Sequence, residues 1–192
     1  MHTYPSGIEY EFDTFDSRII NIDDIAWSLS MQCRFNGHVS KFYSIAEHSI
    51  LMAYYFVNKN LFMYALMALL HDAGETYTGD IISPIKRDFN SKKLENFDKF
   101  IFEFLFSQEE PDIIKNVDGR ILITEAQQLT NIPRKDLYVA EGVDPMELEP
   151  LPVQIKNYTQ EHANNKFLSC YYYLINVLRR REEDEFLSFA LS

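Results

Sequence analysis

Cysteine is scarce in this chain: only Cys33 and Cys170 occur among 192 residues. They stand too far apart for a zinc knuckle or a redox pair, so two reduced thiols are expected and a disulfide framework is not. Positive charge is also in short supply, since 18 Lys and Arg face 29 Asp and Glu for a formal net charge of -11. Such a field repels a polyanion at long range and excludes nucleic acid as an expected partner. It leaves room for one small phosphorylated ligand held by a local cation cluster. Long apolar runs are missing, and the opening MHTYPSGIEYEF has neither a basic n-region nor an apolar h-region. No membrane association is therefore expected, and the expected location is cytoplasmic. Internal repeats, linkers and low-complexity tracts are absent too. A single domain over residues 1–192 is the expectation, and an apolar fraction of 46% suffices for its core.

What the chain does have is helical periodicity. Residues up to Ile20 mix Pro5, Gly7 and alternating aromatics and acids, which predicts a short extended or hairpin lead-in. From Asn21, with Asp23 and Asp24 as helix-starting acids, Ile25, Ala26, Leu29 and Met31 predict a helix that Asn36-Gly37 stops. Ser44 and Glu47 have capping-box spacing, and Ile45, Leu51, Met52, Tyr55 and Phe56 give the stripe of the helix that follows. Further helices are predicted over Leu61–Asp72, Phe97–Phe106, Ile113–Thr130 and Glu161–Arg181. Between the last two, NIPRKDLYVAEGVDPMELEPLPV carries four prolines and no helical period, so it reads as an ordered loop or flap. The expected fold class is all-α.

One stretch, ALMALLHDAGETYTGDIISPIK, ends an apolar helix on His71-Asp72 and sets Glu75 four residues after the histidine. Residues i and i+4 share a helix face, so His71 and Glu75 point the same way if the helix continues. An adjacent His and Asp can reach one divalent cation, while Glu75 is placed to hold a water beside it. His48, on the inner side of its helix, and Asp118, among Ile114, Val117, Ile121 and Leu122, are the further candidates from distant segments. An acid on an apolar face is costly unless paired or bound to metal. Plain structural readings compete with each assignment. A lone histidine is commonly core, an inward Asp commonly a cap or ion pair, Arg34 an ion-pair partner, Phe35 and Trp27 core. Lys86-Arg87 reads as a solvated turn, and Glu125 as a partner of Arg120 or Arg18.

The stretches CRFNGHVSKFYSIAEHS, ALLHDAGETYTGDIISPIK and KNVDGRILITEAQQL, in this order, resemble the HD-domain phosphohydrolases. Within that family they are most similar to the deoxynucleotide-hydrolysing branch of bacterial 5'-deoxynucleotidases and phage-encoded dATP triphosphohydrolases. The resemblance covers about Asp23 to Leu129, with a loop and helix over 131–192 beyond it. It implies a helical bundle with a metal site between helices and one divalent ion, zinc, cobalt or manganese, on His48, His71, Asp72 and Asp118. A magnesium ion accompanying the phosphate tail belongs to the same expectation. The resemblance makes Glu75 the water-orienting acid, sets Asp80 by the water or sugar, and makes Lys86 a phosphate-side cation. Arg34-Phe35 stands where the nucleotidases carry Arg-Trp, ahead of the first ligand, and His38 is a loop histidine suited to a phosphate contact. The implied activity is hydrolysis at the α-phosphorus, with a dATP-type triphosphohydrolase ahead of a 5'-deoxynucleotidase and of a non-catalytic nucleotide-binding module. A homo-oligomer acting on a small deoxynucleotide is expected, in the host cytoplasm if the chain is phage-encoded.

Overall fold

In a computed structural model, residues 1–10, 17–80, 92–139 and 143–190 are described. They form seven α-helices: α1 Ile22–Met31, α2 Ile45–Val57, α3 Phe62–Leu70, α4 Glu75–Thr78, α5 Lys92–Phe106, α6 Asp112–Leu129 and α7 Gln160–Ala190. No strand occurs among the described residues, and the all-α expectation holds. The lead-in closes on a single antiparallel bridge, His2 to Glu9, while Ser17–Ile19 forms a 3-10 turn instead of the extended piece expected there.

Local chemistry accounts for most boundaries. Asn21 caps α1 by accepting the Asp23 and Asp24 amides, at 2.9 and 3.2 Å. The helix then ends at Met31, ahead of the Asn36-Gly37 stop, because the chain turns extended at Gln32 and pairs Cys33 with Ser44. Between these two residues runs a closed loop in which Phe35, Asn36 and Gly37 all have positive φ (56°, 50° and 80°). For Phe35 that is a strained conformation, held by the loop around it. Ser44 caps α2 through the Glu47 amide at 3.1 Å. The return half of the capping box is not made: the fully buried Glu47 carboxylate instead accepts the Lys156, Asn157 and Tyr158 amides at 2.8–3.0 Å.

The helix α2 packs along α3, and α7 crosses α1, α2 and α3. The interior between them holds Ile25, Leu29, Ile50, Met52, Phe56, Leu69 and Phe167, each buried. Each such side chain contributes about 1.5–3 kcal/mol of burial. Among its described residues the proline-rich connection has no regular structure apart from a 3-10 turn at Arg134–Asp136, as its composition suggests. It lies against α6 at Gly119, where a Cβ would run into the Val139 side chain and press on Leu148. A bare backbone beside Asp118 thus lets the connection close over the helix that carries this acid.

Candidate metal centre

The first turns of α2 bring His48 inward with no exposed surface, and the end of α3 delivers His71 as its C-cap with Asp72 next. From α6 comes Asp118, whose side chain keeps 41% of its surface open. It stands at the rim of the apolar face and not within it, which corrects the enclosed position expected from its neighbours. One ligand atom each of His48, His71 and Asp118 lie within 4.8 Å of one another. Asp72 flanks this group, with Oδ1 3.2 Å from His71 Nε2 and Oδ2 3.7 Å from His48 Nε2.

Hydrogen-bonding logic fixes what these atoms offer. His71 Nδ1 lies 2.8 Å from the Ala68 carbonyl, which only accepts, so Nδ1 carries the proton. His48 Nδ1 lies 2.6 Å from Glu125 Oε1, which as a carboxylate also only accepts. With those protons placed, imidazoles in the neutral form would turn the lone pairs of their Nε2 atoms toward each other across 3.3 Å. Asp118 Oδ1 approaches the same His48 nitrogen at 3.2 Å, and Asp72 Oδ2 is buried with no hydrogen-bond partner among the described residues. Converging lone pairs repel unless a cation stands among them. A proton on His48 is one solution, and without metal its imidazole is raised to about 9: burial and Arg34 oppose the charge, while Glu125 and Asp118 prevail. A divalent ion is the other, and mixed imidazole and carboxylate donors fit one.

Behind the cluster sits a buried ionic network. Glu125 accepts Arg34 Nε at 3.2 Å on one oxygen, and the Tyr43 hydroxyl at 2.8 Å together with His48 Nδ1 on the other. Burial pushes Glu125 toward protonation, but Arg34, His48 and Tyr43 overcome it and hold the carboxyl below its ordinary range. Arg34 stays charged in the same way, with Glu125, Asp72 and Asp118 outweighing burial. Glu125 is thus the partner of Arg34, not of Arg120, which instead donates to the Glu149 carbonyl and the Tyr55 hydroxyl. Holding a ligand imidazole by its second nitrogen fixes both tautomer and ring orientation. Its signal in the sequence was a carboxylate two turns after Asp118 on one helix face.

The accessory residues are dispersed. Arg34 is drawn to the cluster, with Nη1 3.6 Å from Asp72 Oδ2, so the ion-pair reading holds for it whatever else it binds. Phe35 is half-buried and belongs to neither apolar cluster of the interior, so it is not the plain core residue that competed with a substrate contact. His38 is exposed in the loop after Phe35. Trp27 packs on Tyr4, ring centroids 5.2 Å apart. Glu75 is buried at the start of α4, and the half-buried Asp80 follows Gly79, whose φ is 79°. Between the end of α3 and the start of α4 residues 71–74 form turns closed by i→i+3 bonds, so the continuous α-helix on which His71 and Glu75 would share a face is not formed. Lys86 and Arg87 lie outside the described residues. Three residues near the site carry no signal in the sequence: Tyr43, which donates to Glu125, Gln32, which bonds both ends of the α4 turn, and Glu110. Burial raises the Glu110 carboxyl, His71 opposing and Asp118 and Asp72 adding to the effect.

Comparison with known proteins points the same way. The chain is 44% identical over 82 residues to the uncharacterized protein YfdR of Escherichia coli K12, a stretch covering 43% of this chain and 44% of that one. An uncharacterized protein of Rhodobacter capsulatus is 43% identical over 72 residues, or 35% of this chain and 37% of its own length. The similarity thus spans less than half of these relatives. No helix among the described residues is long and apolar enough to cross a membrane. HD domains are in general metal-dependent phosphohydrolases, and residues 34–118, from the arginine of the buried network to the last acid of the cluster, match the HD domain family.

Proposed function

We propose that this protein is a metal-dependent phosphohydrolase acting on deoxynucleotides at the α-phosphorus, with a dATP-type triphosphate as substrate and deoxynucleoside and triphosphate as products. The observation that carries the reading is the convergence of two imidazole Nε2 atoms and two carboxylates beside a permanently charged Arg34. His48, His71, Asp72 and Asp118 are the residues to hold one divalent ion, zinc, cobalt or manganese, which when bound supplies Lewis-acid polarisation. The remaining work falls to the chain itself. Glu125 fixes the His48 tautomer. Glu75 takes a proton from the attacking water as its oxygen bonds to the α-phosphorus. The bond from phosphorus to O5' breaks, O5' takes a proton from solvent, and Glu75 returns its own to solvent. Arg34 offsets charge building on the phosphate oxygens. Phe35 and His38 flank it on the same loop as the side chains for base, sugar or phosphate, and Asp80 stands at the water or sugar.

Incubation with dATP, ATP and dAMP followed by product analysis tests this. Triphosphate released from dATP, well ahead of ATP, is the expected result, because a pocket shaped to deoxyribose leaves a 2'-hydroxyl crowded or unpaired. Lys86→Ala is expected to slow dATP more than dAMP by removing charge from the tail. Equal rates for ATP and dATP would sink the deoxyribose claim. Cleavage of dAMP with inert dATP would make the protein a 5'-deoxynucleotidase, and inertness toward all three would leave a nucleotide-binding module. Glu75→Gln keeps shape and loses the proton acceptor, so hydrolysis should slow about a hundredfold or more with metal binding near normal. Metal loss in that variant would make Glu75 a ligand, and unchanged turnover would remove it from the chemistry.

A further inference from the structure

We propose that Gln32 is a positioning residue that sets where Glu75 and Asp80 stand; this rests on the role given to Glu75 above. Gln32 leaves the end of α1 half-buried, and its side-chain amide is used at both ends. Nε2 donates to the Glu75 carbonyl and to Ser28 Oγ, each at 3.0 Å, and Oε1 accepts the Asp80 amide at 2.9 Å. The partners force this orientation, since a carbonyl only accepts and a backbone N–H only donates. The same Glu75 carbonyl accepts the Gly79 amide at 2.9 Å, so the turn from Glu75 to Asp80 is closed on itself and held at both ends by Gln32, while Ser28 Oγ of α1 adds a longer bond to the Thr76 carbonyl at 3.4 Å.

The main chain of Gln32 adds a second connection. Its carbonyl accepts the Ile45 amide at 3.2 Å, at the start of the helix that carries His48. Two residues later comes Arg34, whose amide donates to the Tyr43 carbonyl at 2.9 Å. Gln32 thus joins three pieces: the loop of Arg34, the first turn of α2, and the turn of Glu75 and Asp80. Only a side chain offering a donor and an acceptor at this reach can do so. Methionine offers neither, and glutamate keeps the acceptor for Asp80 but sets a carboxylate against the Glu75 carbonyl.

Gln32→Met and Gln32→Glu, loaded with manganese, test the proposal. Manganese affinity should be unchanged, because no ligand is touched. Turnover of the deoxynucleotide should fall about ten- to a hundredfold in kcat with KM within about twofold, the scale of a catalytic group shifted by about an ångström. Amide hydrogen exchange at Asp80 should quicken in Gln32→Met and stay protected in Gln32→Glu. A kcat at the wild-type level in both variants overturns the proposal, as does unchanged Asp80 exchange in Gln32→Met. A wild-type protein inert toward every deoxynucleotide overturns the function and not this connection, which the exchange readout then decides without any activity.

Discussion

Exhaustive chelation is expected to abolish turnover and to lower the melting temperature in the same titration. The donors come from three helices, α2, α3 with the turn after it, and α6, so a shared ion ties together elements distant in sequence. Its removal leaves the Nε2 atoms of His48 and His71 facing each other with only a proton to hold them, and Asp72 Oδ2 without a hydrogen bond among the described residues. A ligand present at a thousandfold its Kd stabilises the native state by about 4 kcal/mol, and that much is lost with it. The metal-free protein should then acquire a pH dependence of its own. His48 is raised from 6.5 to about 9, so its contribution is fully present below pH 6.5 and is lost as pH rises through 9. Linkage puts this near about 3 kcal/mol, roughly 10 °C in Tm for a chain of this size. Thermal melts at pH 6.5 and 9.5, with and without chelator, measure both effects. Full turnover after chelation, or a metal-free Tm indifferent to this pH interval, would refute the assignment.

Glu125→Ala is expected to destabilise the protein by about 3–5 kcal/mol, the range for removing one partner of a buried ion pair. The carboxylate has no exposed surface and serves three groups: Arg34, Tyr43 and His48. Without it a largely buried guanidinium keeps its charge with Asp72 alone among the described residues, at 3.6 Å, beside a hydroxyl and an N–H that have lost their acceptor. His48 also loses what holds its ring, so metal affinity should drop about ten- to a hundredfold. Glu125→Gln is the control of shape. One amide oxygen cannot accept from Arg34 on one side and from Tyr43 and His48 on the other, and its NH2 meets a donor, so most of the loss should remain. Denaturant unfolding and calorimetric metal titration read the two effects. A Glu125→Ala protein within about 1 kcal/mol of wild type and with unaltered metal affinity would show that the network carries no such weight.

Helix positions were legible because caps and apolar stripes are local: Asn21 and Ser44 accept the amides that such caps accept. The pieces of the cluster were legible because an imidazole beside a carboxylate at a helix end is a short-range pattern, as at His71-Asp72. What stayed hidden depends on partners far away in sequence. Glu125 finds Arg34 across 91 residues, so periodicity shows its face and not its partner. Glu47 fits a capping box by spacing, yet its carboxylate is claimed from 109 to 111 residues away. In the left-handed run, Asn36-Gly37 carries the compositional signal of a turn, while Phe35 gives none, because nothing in its side chain favours positive φ. Gln32 escaped notice for the plainest reason, that an amide at the end of a helix reads as surface until the turn it fastens is seen.

The Glu47 carboxylate, fastened to the amides of Lys156, Asn157 and Tyr158, stands one residue before His48 and is fully enclosed. During synthesis the chain has made every candidate metal donor once Asp118 is added, but the amides that satisfy Glu47 come about forty residues later, about two to eight seconds at elongation rates of roughly 5–20 residues per second. Through that interval the start of α2 carries a carboxylate that must stay hydrated, and a helix end that must stay hydrated cannot yet be interior. Assembly of the candidate metal centre therefore waits on translation of the segment that leads into α7, and the nascent chain presents its histidines to solvent before it can enclose them.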